Sequence, residues 1–246
     1  MKYFGNTHVG NVREENQDAF EIIELGGGAC ITVCDGMGGA NGGSVASATA
    51  LEAFGEYVKS NLSTEDVSAV DASLLVSVLV EGVKYAHEQV LKKVRENEAL
   101  EGMGTTLVSA FVKDGSAVVV NVGDSRCYSL VGEKFTQVTK DHSLVQDLVD
   151  SGMLTKSEAE SHPQKNCITR AVGIDYDMKP DVFYVPSFDK LLLCSDGLTN
   201  MVSEEEIKNV LLDKISIDTA VCKLVEMARE NGGLDNITVA VIKEEF

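Results

Sequence analysis

Proline is nearly missing from this chain, with three in 246 residues. No proline-rich linker or low-complexity segment divides it, and no repeat of about 20–50 residues recurs along it. One compact domain over residues 1–246 is the simplest expectation. Basic residues are scarce as well: 21 Lys and Arg stand against 39 Asp and Glu, for a formal net charge of −18. A general nucleic-acid binder needs cationic side chains to neutralise phosphates, and docking on an anionic bilayer needs them too. Neither nucleic acid nor membrane is an expected partner. A phosphorylated substrate stays compatible if its site is locally positive. No run reaches the roughly 18 apolar residues that a membrane span requires. The opening MKYFGNTHVG lacks an apolar signal core. Cysteine occurs at Cys30, Cys34, Cys127, Cys167, Cys194 and Cys222, never as a CxxC pair and mostly inside apolar runs. In such runs it acts as a small hydrophobe, so a reducing, cytoplasmic setting is expected.

What is present is a dense set of strand signals. Short β-branched runs predict strands over 19–23, 29–34, 106–112, 116–122, 126–131, 134–139, 181–185, 190–195 and 237–242. Asp114-Gly115 is a hairpin signal, and 105–139 reads as one antiparallel meander. Apolar positions at three-to-four spacing predict helices over 43–60 and 64–97, the second opened by Ser63 with Asp66. Shorter helices are predicted over 141–151, over 156–161 behind Thr155 and Glu158, over 203–213 behind Ser203 and Glu206, and over 217–230 ahead of Gly232-Gly233. This order of elements is α+β rather than alternating βαβ. The expected architecture is two antiparallel sheets packed as a central β-sandwich, flanked by helices on both faces in four αββα layers. The polar, irregular stretch 140–170 reads as an excursion over the surface near the sheet rim.

Four apolar runs abut an aspartate. ITVC leads into Asp35-Gly36, VVVNVG into Asp124-Ser125 and LLLCS into Asp196-Gly197, while Asp235-Asn236 stands just before ITVAVI. An aspartate at a strand end sits at the rim of a sheet. If several rims meet, negative charge concentrates in one cleft. Two unit charges about 4 Å apart repel by roughly 4 kcal/mol at an effective dielectric near 20. A hard divalent cation, which takes oxygen ligands, is the natural offset. Ahead of these, VREENQDAF places Arg13, Asn16, Gln17 and Asp18 before a strand. A guanidinium can grip phosphate oxygens bidentately, and Asp18 could hold a metal-bound water. Asp35 could bridge two metals, and Gly36, with no side chain, could offer its carbonyl. Asn236 could orient a neighbour. Each motif alone also reads as a plain Asp-Gly or Asp-Asn turn, or as a surface arginine. No Gly-Lys-Ser/Thr follows the glycines, so this is not a Walker loop. No HCx₅R loop is present either, which excludes a cysteine-based phosphatase.

Together, Arg-xx-Asn-Gln-Asp, Asp-Gly-Met-Gly-Gly, Gly-Asp-Ser-Arg, Ser-Asp-Gly and Asp-Asn occur in one order. So arranged, the chain resembles the bacterial metal-dependent protein phosphatases of type 2C, the PPM family, from Thr7 to about Val241. MGTTLV (103–108), KDHSLV (140–145), His162-Pro163 and NCITRAVG (166–173) match as well. The resemblance implies two Mn²⁺ or Mg²⁺ ions, with a third in bacterial members. By matching positions, Asp35 bridges two ions, the Gly36 carbonyl is a ligand, and Asp196 and Asp235 complete the first site. Asp18 acts through metal-bound water, Asp124 joins Asp196 in a weaker third site, and Arg13 binds the substrate phosphate. The segment 140–170 corresponds to the family's flap. The implied reaction is hydrolysis of phosphoserine and phosphothreonine in proteins by a water held between the metals. The implied antagonist is a eukaryotic-type Ser/Thr kinase, and a monomer is expected. Two alternatives stay open: a catalytically weak phosphatase-like binding module, and a two-metal phosphohydrolase acting on another phosphorylated regulator.

One departure stands out. Relatives commonly carry histidine after DGMGG, the proposed general acid toward the leaving alkoxide, and here that position is Ala40. His8, His87, His142 and His162 remain, each more often a capping or packing residue than a replacement.

Overall fold

The computed structural model describes residues 1–62, 72–174 and 178–244, with residues 40, 41 and 160 described by backbone alone. The strands are β1 (Lys2–His8), β2 (Asp18–Leu25), β3 (Gly28–Met37), β4 (Gly104–Thr105), β5 (Leu107–Lys113), β6 (Ser116–Val122), β7 (Arg126–Val131), β8 (Lys134–Gln137), β9 (Asp181–Val185), β10 (Lys190–Cys194) and β11 (Ile237–Lys243). The helices are α1 (Gly39–Leu62), α2 (Ala72–Glu96), α3 (Leu144–Asp150), α4 (Lys156–Glu160), α5 (Asp196–Thr199), α6 (Glu204–Leu212) and α7 (Ile217–Glu230).

Two sheets form, with strand orders β1-β11-β10-β7-β8 and β2-β3-β5-β6-β9, and β4 pairs with β3 beside the second path. The described ladders are antiparallel. The near-continuous apolar runs have a simple cause: these strands are covered on both faces, and alternate side chains serve different layers. In β3, Cys30 and Cys34 pack under α1 and α2, whereas Ile31 and Val33 enter the layer between the sheets. In β10, Leu192 and Cys194 meet α5–α7, whereas Leu191 and Leu193 point to the inter-sheet layer. In β11, Val239 and Val241 divide from Ala240 and Ile242 in the same way. Each fully buried Val or Leu stabilises by roughly 1.5–3 kcal/mol. The αββα sandwich expected from the element order is therefore present.

Several local expectations also hold. Thr155–Glu158 and Ser203–Glu206 each close a reciprocal capping box, and α7 covers 217–230 as predicted. The Ser63–Asp66 cap and the first turns of the helix expected from residue 64 lie outside the described residues.

Three expectations are corrected. First, 105–139 is not one meander. β5 and β6 pair in one sheet, then the chain crosses at 123–125 to β7 in the other sheet. A sheet change and a hairpin look alike locally; the crossing turns on Gly123, whose φ is +106. Second, β1 carries no strand signal because it is a half-buried edge strand that, among the described residues, pairs with β11 alone, so it shows little hydrophobic alternation. Third, Asp35 does not end its strand: β3 continues to Met37, and its last residues Gly36 and Met37 pair with β4.

Candidate active site

The two sheets meet at one end in a seam of aspartates. Asp18 opens β2 and stands directly opposite Asp35 of β3 in the ladder. Asp18 Oδ2 accepts hydrogen bonds from Ser195 Oγ at 2.7 Å and Thr238 Oγ1 at 2.6 Å, so a side chain of one sheet is held by hydroxyls of the other. Thr238 Oγ1 lies 2.7 Å from Thr7 Oγ1, which in turn accepts from Asn16 Nδ2 at 2.9 Å. Asp35 is fixed by its backbone: its N–H donates to Thr106 Oγ1, and its carbonyl accepts from Thr106 N–H and Thr105 Oγ1, each at 2.9 Å. A Cβ on Gly36 would run into the carbonyls of Gly43 and Gln17. Only glycine lets α1 come this close behind Asp35.

Asp196 is the first residue of α5, and Asn200 Nδ2 donates to its Oδ2 at 2.9 Å. Gly197 abuts the carbonyl of Asn236, again leaving no room for a Cβ, which presses the Asp196 and Asp235 segments together. Asn236 is a hub. Its Oδ1 accepts from Gln17 N–H at 2.8 Å, and its Nδ2 donates to the carbonyls of Val9 at 2.8 Å and Glu15 at 2.9 Å. It thereby holds the loop that carries Arg13. Arg13 Nη2 donates to Asp235 Oδ2 at 2.8 Å, and the arginine side chain stays 54% exposed.

These carboxylates lie close enough for their charges to act on one another. Burial pushes Asp18 up to about 7, with Asp196 and Asp235 adding repulsion. Burial, then Asp196 and Asp141, pushes Asp124 up to about 8. Burial, then Asp235, pushes Asp196 up to about 6. Asp35 is held well above the usual carboxylate range by burial and by repulsion from Asp18, Asp196, Asp124 and Asp235. The hydrogen bond from Arg13 to Asp235 raises the guanidinium further, and Asp35 and Asp196 act on it in the same sense. All the acids singled out in the sequence, with Arg13, Gly36 and Asn236, thus belong to one region.

The donor set is all oxygen, and Asp18 Oδ1 is buried with no partner among the described residues. Both features fit hard divalent cations. Among the described residues no three acidic, histidine or cysteine side chains are grouped closely enough to hold a metal ion by themselves. The carboxylates alone therefore do not complete a coordination shell, and a hard cation bound by one or two carboxylates keeps several of its waters.

The histidines stand elsewhere. His8, His87, His142 and His162 each accept a backbone N–H at Nδ1, from Gly10, Gly173, Gly123 and Gln164 respectively. All four imidazoles cap loops. Ala40 lies in the first turn of α1. From Asp124 and Asp196 a cleft of about 630 Å³ opens between α3–α4 and α5–α6, with Lys156, Lys165 and Glu204 on its walls. A smaller hollow of about 230 Å³ lies between α1 and α2, lined by Glu52, Tyr85 and Lys92 rather than by these aspartates.

Sequence reasoning missed the hydroxyls of Thr106, Ser195 and Thr238, which hold Asp35 and Asp18. Their signal was present in part: Ser195 directly precedes Asp196, and Thr106 lies in the MGTTLV motif.

Comparison with known proteins bears on the family and the fold. The family description "Protein phosphatase 2C" matches residues 5–238. The serine/threonine phosphatase stp of Listeria welshimeri is 37% identical over 243 residues, covering 98% of this chain and 94% of the relative. The crystal structure of serine/threonine phosphatase Stp1 from Staphylococcus aureus superposes with a TM-score of 0.90 at 35% identity, covering 100% of this chain and 95% of the other. The catalytic domain of serine threonine protein phosphatase PstP, solved in complex with 2 manganese ions, gives a TM-score of 0.83 at 32% identity, covering 98% of this chain and 96% of the other.

Proposed function

This chain belongs to the protein phosphatase 2C family, and from that premise we propose that the seam of Asp18, Asp35, Asp124, Asp196 and Asp235 is its catalytic centre. The chain is a protein-serine/threonine phosphatase, and its substrates are phosphoproteins. One observation carries the assignment of the site: aspartates from separate segments, Asp18 and Asp124 buried and Asp35 and Asp196 half-buried, are pushed toward the protonated form by desolvation first and by one another's charge second, as carboxylates are when they share a space suited to cations.

Mn²⁺ or Mg²⁺ is the cofactor this donor set fits, and a relative that holds 2 manganese ions supports the same metal here. Asp35, the Gly36 carbonyl, Asp196 and Asp235 would hold two ions, Asp124 with Asp196 a third, and Asp18 would act through water. Such ions, when bound, acidify water toward neutrality and take up charge developing on phosphoryl oxygens. The chain's own groups do the rest. Arg13 keeps one nitrogen on Asp235 and offers its remaining N–H groups to the phosphate, a charge-assisted contact. Asn236 fixes the loop that aims Arg13. Ser195 and Thr238 fix Asp18 and so tie the ends of the two sheets together.

The direct test is phosphate release from a phosphothreonine peptide with Mn²⁺ and with excess EDTA. Release is expected to require the metal, and equal rates in EDTA would overturn the assignment. Arg13→Ala is expected to raise KM for the peptide about tenfold, the scale of one charge-assisted hydrogen bond, with a smaller change in kcat. An unchanged KM would remove Arg13 from the phosphate site.

The same reading makes residues 1–246 one catalytic domain, monomeric, opposed by a eukaryotic-type Ser/Thr kinase. Among the described residues no helix is long and apolar enough to cross a membrane. The free cysteines support a reducing, cytoplasmic setting.

A further inference from the structure

The turn that carries Asp124 is held from two sides. Gly123 has φ +106, which other residues rarely adopt, and a Cβ there would press on Thr106. On that side Thr106 Oγ1 also shares a hydrogen bond of 2.7 Å with Ser125 Oγ. On the other side stands His142, only 3% exposed. Its backbone N–H donates to the Gly123 carbonyl at 2.9 Å, and its Nδ1 accepts the Gly123 N–H at 3.1 Å. One residue thus engages both polar groups of Gly123.

His142 faces a second way as well. Because Nδ1 accepts, the neutral ring carries its proton on Nε2. That nitrogen lies 3.3 Å from Asp181 Oδ2, without the alignment of a full hydrogen bond. Asp181 is itself gripped by Arg170 Nη1 at 3.0 Å. Burial disfavours the imidazolium, in keeping with the neutral ring. The His142 carbonyl accepts the Thr169 N–H at 2.8 Å, and Ser143 bridges Ile168. The start and the end of the 143–168 excursion therefore close on this one residue. Next to it, Arg126 pairs with Asp141 through Nη2 at 2.6 Å and Nε at 3.0 Å, a parallel strap between β7 and the same root.

We propose that His142 is a positioning residue, a clasp that ties the Gly123–Asp124 turn to both roots of the excursion that walls the cleft. A shift of the excursion must break one of these bonds or carry the Gly123 turn with it. The location of the Asp124 carboxylate then depends on where the excursion lies. The proposal rests on the reading of Asp124 as part of the catalytic centre.

His142→Leu removes the acceptor at nearly constant volume, and His142→Asn offers an Oδ1 acceptor near the place of Nδ1. Hydrogen exchange of the metal-free chain reads the clasp directly. In His142→Leu, exchange at the Gly123 amide and through 144–168 is expected to rise by roughly tenfold or more, the scale of one lost buried hydrogen bond. Amides in β3 and β10 are expected to stay at wild-type protection. Calorimetric Mn²⁺ titration is expected to show the weakest site about tenfold weaker and the tighter sites unmoved, and KM for a phosphopeptide is expected to rise more than kcat falls. His142→Asn is expected to restore these values. If His142→Leu does not fold, Asp181→Asn, at a partly exposed position, is expected to raise exchange at the same amides about two- to threefold. Wild-type exchange at Gly123 and across 144–168 in the folded variant would overturn the clasp. Raised exchange with Mn²⁺ binding and KM both unmoved would instead overturn the placement of Asp124 in the centre.

Discussion

Asp35→Asn is expected to cut kcat on a phosphothreonine peptide by about a thousandfold while making the EDTA-treated protein melt at a higher temperature than wild type. The two effects have one cause. Asp35 is the acid most surrounded by others, with Asp18, Asp196, Asp124 and Asp235 all acting against its charge. In activity, an amide at this position takes away the anionic oxygens that would be shared between cations. Metal ions supply several kcal/mol of transition-state charge stabilisation, and each ~1.4 kcal/mol is tenfold in rate. In stability, the amide removes a half-buried, desolvated charge and its repulsions while keeping the shape. The backbone bonds to Thr105 and Thr106 survive the change. The rise in melting temperature on adding Mn²⁺ should shrink in the variant, because binding energy adds to folding energy only where binding occurs. Calorimetry in EDTA and in Mn²⁺, beside steady-state kinetics, measures all of this. A variant that melts lower in EDTA, or that keeps its turnover, would show that Asp35 is an ordinary strand residue.

Ala40→His is expected to raise phosphopeptide turnover by about ten- to a hundredfold and to leave p-nitrophenyl phosphate turnover nearly unchanged. A serine or threonine alkoxide leaves badly without a proton, whereas a nitrophenolate needs none. General acid help is worth about 10²–10⁴-fold, and an imidazole placed by mutation should recover only part of it. The chain has four histidines, and each spends Nδ1 on a backbone N–H. No imidazole in the wild type is therefore set aside for the leaving group. The kcat profile of the variant should also gain a descending limb above about pH 6.5, where imidazolium loses its proton. Phosphopeptide kcat at the wild-type level, with no new limb, would mean that position 40 does not face the leaving oxygen.

The strands and most of the helices were legible because their apolar residues repeat with the period of the element that buries them. Capping pairs such as Ser203–Glu206 were legible because they act within one turn. The edge strand β1 was not, since it is paired on one side only and has few apolar residues to place. The sheet change at Gly123 was not legible either: a turn reports its own backbone, not which partner the next strand will find.

The site divides along the same line. By itself the sequence named the residues proposed for the centre, because Arg13, Asp18, Asp35, Asp124, Asp196 and Asp235 are marked by their motifs and by their places beside strands. Only the tertiary structure decided how they are held: that Asp18 is gripped by a hydroxyl 220 residues away, that Asn236 steadies the Arg13 loop, and that His142 clasps the Asp124 turn. The physical reason is range. Side-chain periodicity and turn chemistry act over a few residues and are written locally, whereas these hydrogen bonds and the repulsion among neighbouring carboxylates exist only once two separately patterned sheets stack and bring their ends together.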